Sequence, residues 1–232
     1  MSWKEIWENK GITEKEDFVL TDLMALDGYD TGAGCCPVEG WMFTVEMMER
    51  KLQLNRKESI CEIGCGSGAF LFPLYRKGYK ILSGIDYSTN LISVCKRVIP
   101  EGNFRVSEAK STSFEPAKFD AVISNGVFNY FPDLEYTRQV IEEILRILKI
   151  NGRGIILDMN DAEKKLQYET IRRNKLGQEE YERLYKDHRH LFFKRSWFKE
   201  IASEHNLKYE IFDQDITGYD NSKFRFNFYF EK

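Results

Sequence analysis

No stretch of this 232-residue chain stays apolar for the ~20 residues that a membrane-spanning helix needs. The opening MSWKEIWENKG is charged and holds no apolar leader segment, so no secretory signal is expected. Basic excess is missing too: 34 Lys and Arg face 37 Asp and Glu, a net charge of −3, which argues against a nucleic-acid partner. The five cysteines (Cys35, Cys36, Cys61, Cys65, Cys95) are odd in number and irregular in spacing. They form no pattern of CxxC pairs with histidine partners, so no metal site is expected, and reduced thiols in a cytoplasmic protein are. There are no internal repeats and no low-complexity tract, and nothing in the sequence speaks to oligomeric state.

What is present is an ordinary globular balance, 42% hydrophobic and 31% charged residues. A chain of this length folds as one domain and buries roughly 70% of the surface its unfolded form exposes, enough to need no covalent staple. Residues 1–57 read as helical: Trp3, Ile6 and Trp7 recur at helical spacing, and Gly11 ends that segment. A glycine-rich loop follows at 27–40, then an amphipathic helix over 41–54. From 58 onward strands and helices alternate. Strands are expected at 59–63, 80–86, 103–106, 119–125 and 152–159, with helices at 68–78, 88–98 and 134–152 between them. Ser88 is placed to cap the second of these helices, and Pro73 falls in the first turns of the first. Such alternation builds a mainly parallel sheet covered on both faces. Residues 161–205 read as charged and helical. Strands at 207–216 and 223–232, joined by a link too short to cross the sheet, should pair antiparallel.

The chemistry concentrates in ICEIGCGSG, residues 60–68. A glycine-rich turn between a strand and a helix lets a ligand approach the backbone, where free N–H groups attract negative charge. Gly64 to Ala69 also fits the dinucleotide fingerprint G-x-G-x-x-G/A, and Asp86 lies about 20 residues on, where a ribose-binding acid belongs. An NAD(P) site and another adenosine-cofactor site therefore compete. Glu62, two residues before Gly64, would repel a pyrophosphate but suits an ammonium or sulfonium ligand. Glu108-Ala109 after the third strand, Phe119-Asp120 opening the fourth and the terminal strand pair point the same way.

With Glu62, Gly64, Gly66 and Gly68 in E-x-G-x-G-x-G, GIDYS at 84–88, SEA at 107–109 and FDAVISN at 119–125, the chain resembles the class I S-adenosylmethionine (SAM)-dependent methyltransferases of small-molecule type. The likeness covers about residues 58–158 and extends to the last two strands. It implies an α/β Rossmann-like fold: a seven-stranded mainly parallel sheet with an antiparallel C-terminal strand and helices on both faces. A helical N-terminal cap over 1–57 would precede a methyltransferase domain over 58–232, in one structural unit, with 161–205 as a helical insertion over the acceptor site. It also implies roles. Gly64, Cys65 and Gly66 would lie against the methionine half of SAM, Glu62 on its amine side. Asp86 would take both ribose hydroxyls, Tyr87 would pack on the adenine face, and Glu108 and Ala109 would border the adenine edge. Asn125 would sit beside the sulfonium, with Tyr130 on the same wall.

For the acceptor the family offers no fixed residue. Among three histidines, His188 and His190 are the candidates for a base or an acceptor ligand, since histidine titrates near neutrality; His205 reads as a helix cap. Trp3, Trp7, Tyr29 and Trp41 either seal a lid over cofactor and acceptor or form ordinary helix cores. Arg225 could anchor an anionic acceptor, although an exposed strand arginine is the commoner case. The N/D-P-P-Y/F/W motif of amide and base N-methylation is missing from SNGVFNYFP at 124–132. The expectation is methyl transfer to a small molecule, at a hydroxyl oxygen, of the kind met in natural-product or surface-polysaccharide pathways. N-methylation of a small amine or a protein group is the alternative; a non-catalytic SAM-binding protein or an NAD(P)-dependent oxidoreductase are rivals of another class.

Overall fold

Short apolar runs flanked by glycine and acid become fully buried strands. In β1 (Ile60–Ile63) every residue is buried, as a parallel strand covered on both faces should be. The computed structural model describes residues 3–10, 15–185 and 189–232. Within them β1 joins β2 (Leu82–Asp86), β3 (Asn103–Val106), β4 (Phe119–Asn125), β5 (Leu148–Asn160), β6 (Lys208–Asp213) and β7 (Arg225–Glu231) in one sheet. The order is β3-β2-β1-β4-β5-β7-β6; β7 runs antiparallel to both β5 and β6, and the other neighbouring pairs are parallel. The order reverses between β1 and β4, where open α/β sheets place their ligands.

The period of two along each strand divides the core. Ile60, Ala121, Ile123, Ile155 and Leu157 face one helical layer, while Cys61, Val122, Ile156 and Met159 face the other. The first layer takes α2 (Leu20–Leu26), α3 (Val38–Lys51) and α4 (Phe72–Arg76), with α5 (Thr89–Val98) beside them; α1 (Trp3–Glu8) lies before them in the chain. The second takes α6 (Leu134–Ile147) and α9 (Arg195–Glu204), which deliver Val140, Ile141, Ile144, Phe198 and Ile201 onto the phenylalanines of β7. Trp41, Val45, Met48 and Leu52 place α3 in the same core as the sheet, so residues 20–52 are part of the layered unit. Between β5 and α9, α7 (Lys165–Leu176) and α8 (Gln178–Tyr185) carry mostly charged residues, with Tyr168 the buried residue of α7. Of the expected insertion, α9 thus belongs to the sheet's own covering layer.

Two boundaries differ from expectation. The helix after the glycine turn begins at Phe72 rather than near 68, because the loop runs on through Leu71 and Pro73 sits in the helix's first turn. The helix expected to run to Gly152 ends at Ile147. Leu148, fully buried, turns extended and pairs with Phe119, so β5 gains residues from the predicted helix. Ser88 caps α5 by accepting from the Leu91 N–H, and His205 is the C-cap of α9, both as read from the sequence. The helix-ending role of Gly11 lies outside the described residues. Among the described residues no helix is long and apolar enough to cross a membrane, and no cluster of three potential metal ligands occurs.

Candidate functional site

The loop after β1 is shaped by glycines no other residue could replace. Gly64 has φ +73°, and a Cβ there would lie 2.4 Å from Val127 Cγ2. Gly66 has φ +50°, and a Cβ there would meet the Asp27 carboxylate at 2.5 Å. The backbone is therefore open both to the chain beside it and to a ligand above it. A cavity of about 460 Å³ lies over this loop at the carboxyl ends of β1, β2 and β4. Glu62, Gly64, Cys65 and Gly66 form its floor, with Asp86 and Tyr87 on one side. Glu108 and Ala109 close a second side, Asn125 and Tyr130 a third, and Trp3, Trp7 and Tyr29 reach it from the N-terminal segment.

Asp86 is held before any ligand arrives. One carboxylate oxygen accepts the Ser88 N–H at 2.8 Å and the other the Gly66 N–H at 3.1 Å. Burial pushes its pKa up to about 6, against the pull of these backbone donors. Glu108 accepts from the Tyr136 hydroxyl at 2.8 Å, which fixes the acid on the wall. Glu62 is 2% exposed, and its Oε2 has no hydrogen-bond partner among the described residues. Burial, with Asp27 and Asp86 nearby, raises it well above the usual carboxylate range. The Cys65 thiol is buried and likewise pushed up, so it packs and does not react. Asp27, Glu62, Asp86 and Glu108 make the wall acidic, while Arg189 is its one basic residue among those described. A pyrophosphate would lie against carboxylates here, whereas an ammonium and a sulfonium would be attracted.

The rim is aromatic. The Trp3 ring packs edge-on against Tyr130 at 4.8 Å and tilts against His190 at 4.8 Å, and Trp7 meets Tyr130 at 5.4 Å. Trp3 Nε1 donates to the Arg189 carbonyl, and the Tyr87 hydroxyl donates to the Trp3 carbonyl. Tyr29 lies edge-on to Trp41, whose Nε1 donates to the Ala69 carbonyl beneath the glycine loop.

Two expected acceptor residues, His190 and Arg225, stand differently. His190 lies behind the rim against Trp3 and Tyr130; burial, with Arg225 and Arg172 adding to it, drops its pKa to about 3. A ring held neutral so firmly is a poor proton acceptor near pH 7, which does not support the base role expected of it. His188 lies outside the described residues. Arg225 is no exposed strand arginine: it is 4% exposed, one layer behind the cavity, with Nε 3.4 Å from Asp158 Oδ1.

Sequence reasoning missed Asp27, Tyr136 and Arg189 on the wall. Asp27 and Gly28 end α2 as a common helix stop, and nothing in that local pattern says the acid folds back onto Ser67.

Residues 61–156 match the family described as a methyltransferase domain. The chain is 29% identical over 130 residues to human "EEF1A lysine methyltransferase 2", covering 52% of this chain and 54% of that protein. It is also 29% identical over 114 residues to the "demethylmenaquinone methyltransferase" of Thermotoga maritima, covering 49% of this chain and 48% of that one. The chain thus spans about half the length of these curated relatives. A SAM-dependent methyltransferase structure from Methanosarcina mazei superposes with TM-score 0.61 over 80% of this chain and 96% of that one, at 19% identity, a likeness of fold. Glycine loop, strand-end acid, acidic wall and sheet order agree with these matches: residues 61–156 match a methyltransferase domain, and the fold is shared with SAM-dependent methyltransferase structures.

Proposed function

We propose that this protein transfers the methyl group of SAM to an oxygen atom of a small molecule. The observation that carries the reading is the cavity itself, about 460 Å³, acid-lined over the glycine loop and roofed by Trp3, Trp7 and Tyr130. That volume suits a cofactor and a modest acceptor. A polynucleotide would need a row of cations for its phosphates, and Arg189 is the one basic residue on the described wall. A protein side chain would have to pass a rim that Trp3 closes against Arg189 and Tyr87. The name of the Thermotoga maritima relative supports the small-molecule part of this reading, whereas the name of the human relative points to a protein lysine.

Bound SAM supplies an already reactive methyl on sulfur, so the protein's task is alignment. Asp86 would hold the ribose, Glu108 and Tyr87 the adenine, and Glu62 the amine end. Asn125 and Tyr130 would border the methyl, with Trp3, Trp7 and Tyr29 confining the acceptor. Arg225 suggests the acceptor's chemistry. Among the described residues its Nε and Nη1 are buried without hydrogen-bond partners, while the Asp158 carboxylate opposite already accepts from Gln214 and Tyr219. An acceptor with a carboxylate or phosphate reaching past Tyr130 would satisfy those donors. An oxygen already ionised would also need no base. His190, held neutral, favours a second reading in which the acceptor is a neutral amine, which needs none either.

The test is to incubate the protein with methyl-¹³C SAM and, separately, small-molecule, protein and RNA fractions of a cell extract. Label in the small-molecule fraction, with the methyl carbon shift of an O-methyl group, is the expected result. An N-methyl shift selects the second reading, and label confined to protein or RNA overturns both.

A further inference from the structure

We propose that Asp27, from the N-terminal segment, is itself a cofactor ligand whose carboxylate closes on the α-ammonium group of the bound cofactor opposite Glu62. The inference rests on the SAM reading of the cavity and adds a residue that lies outside every motif of the resemblance.

Asp27 is the C-cap of α2, and its Oδ1 accepts the Ser67 N–H at 2.8 Å, across 40 residues of sequence. Ser67 Oγ donates back to the Leu23 carbonyl at 3.1 Å, so the end of α2 is pinned to the glycine loop by two bonds. At Gly66 there is no room for even a methyl group between loop and carboxylate, which puts the acid directly against the surface a ligand would cover. Asp27 shares the cavity wall with Glu62 and Asp86. Asp86 is engaged by Gly66 and Ser88, which points its remaining lone pairs toward a ribose. Glu62 lines the same cavity, and its buried Oε2 finds no donor among the described residues.

Two acids thus line one cavity from β1 and α2, and Arg189 is the one basic residue of its wall among the described residues. Burial pushes Asp27 up to about 7, with the Ser67 donors pulling the other way and Asp86 adding to the rise. A group with several N–H donors and a positive charge satisfies both acids at once, and an ammonium is such a group. A carboxylate would be repelled, so the pair also fixes which end of the amino acid enters here. Because Asp27 arrives from the N-terminal segment, the cofactor joins that segment to the glycine loop, and the two hold each other in place.

Asp27→Asn separates ligand from scaffold. The amide oxygen still accepts the Ser67 N–H, but the charge is gone. The variant and the wild type are titrated with S-adenosylhomocysteine and with 5′-methylthioadenosine, which has the adenosine and thioether but no amino acid. The expected result is a loss of about 10- to 100-fold for S-adenosylhomocysteine, the size of one charged hydrogen bond, with methylthioadenosine within about twofold of wild type. Unchanged S-adenosylhomocysteine affinity overturns the proposal, and so does an equal loss for both ligands, which would make Asp27 a scaffold residue. Should the variant not fold, Asp27→Ser, with an uncharged oxygen, is read the same way. Wild-type protein that binds neither ligand overturns the SAM reading, and this inference with it.

Discussion

Asp86→Ala should cost most of the cofactor affinity. In the free protein each carboxylate oxygen accepts one backbone N–H, from Ser88 at 2.8 Å and Gly66 at 3.1 Å. Each therefore keeps a lone pair for one ribose hydroxyl, and the carboxylate needs no reorganisation to bind both. A hydrogen bond to a charged group contributes about 1.5–3 kcal/mol, so two amount to about 3–6 kcal/mol, or roughly 10²- to 10⁴-fold in affinity. The cost of ionising the acid takes little from this, because its pKa of about 6 leaves it mostly charged near neutral pH. Removing it also frees the Gly66 N–H, which loosens the loop and moves the loss toward the upper figure. Ser88 still caps α5 through Leu91, so the helix itself should survive. Calorimetric titration with S-adenosylhomocysteine measures the effect, with a thermal melt to show that the variant is folded and Asp86→Asn to separate charge from shape. A folded Asp86→Ala variant that loses less than about tenfold would refute the ribose assignment. Binding of NADH by the wild type, lost in the variant, would return the glycine turn to a dinucleotide.

Gly64→Ala should weaken binding while leaving the sheet intact: a left-handed φ costs a Cβ-bearing residue about 1–2 kcal/mol, and the new methyl would lie 2.4 Å from Val127 at the cavity wall; wild-type affinity in a titration would mean that the loop yields freely. Affinity for S-adenosylhomocysteine should rise with pH through about 6 and 7, because Asp86 and Asp27 are raised to those values by burial and a cationic amine favours their ionised forms; calorimetry in buffers of different ionisation enthalpy should show proton release on binding, and proton uptake would contradict it. The same raised values mean that the folded protein holds protons which the unfolded chain gives up, so the ligand-free melting temperature should fall as pH climbs from about 4 to about 7. Asp27→Asn should flatten that fall, and an unchanged slope would place the titrating group elsewhere.

Local sequence carried much of this protein's architecture. The short apolar run of FDAVISN, buried on both faces, and the helical period of α6 are set by which side chains must leave water, and apart from the end of α6 these elements form where the pattern puts them. The glycine turn and its two acids, Glu62 and Asp86, were legible for a related reason: each sits at a strand end, so its place follows from the strand itself. The end of α6 was not legible, because Leu148 leaves the helix only when Phe119 offers it a pairing partner. Tertiary structure alone decided the rest of the site. Asp27 reads locally as a helix stop and becomes a wall of the cavity by folding back onto Ser67. Arg225 reads as a strand-end surface residue and is buried because β7 enters the sheet between β5 and β6. His190 reads as a base and is held neutral by the rings and guanidinium groups around it. Charge and burial at these positions depend on neighbours distant in the chain, whereas pattern and turn chemistry depend on neighbours a few residues away.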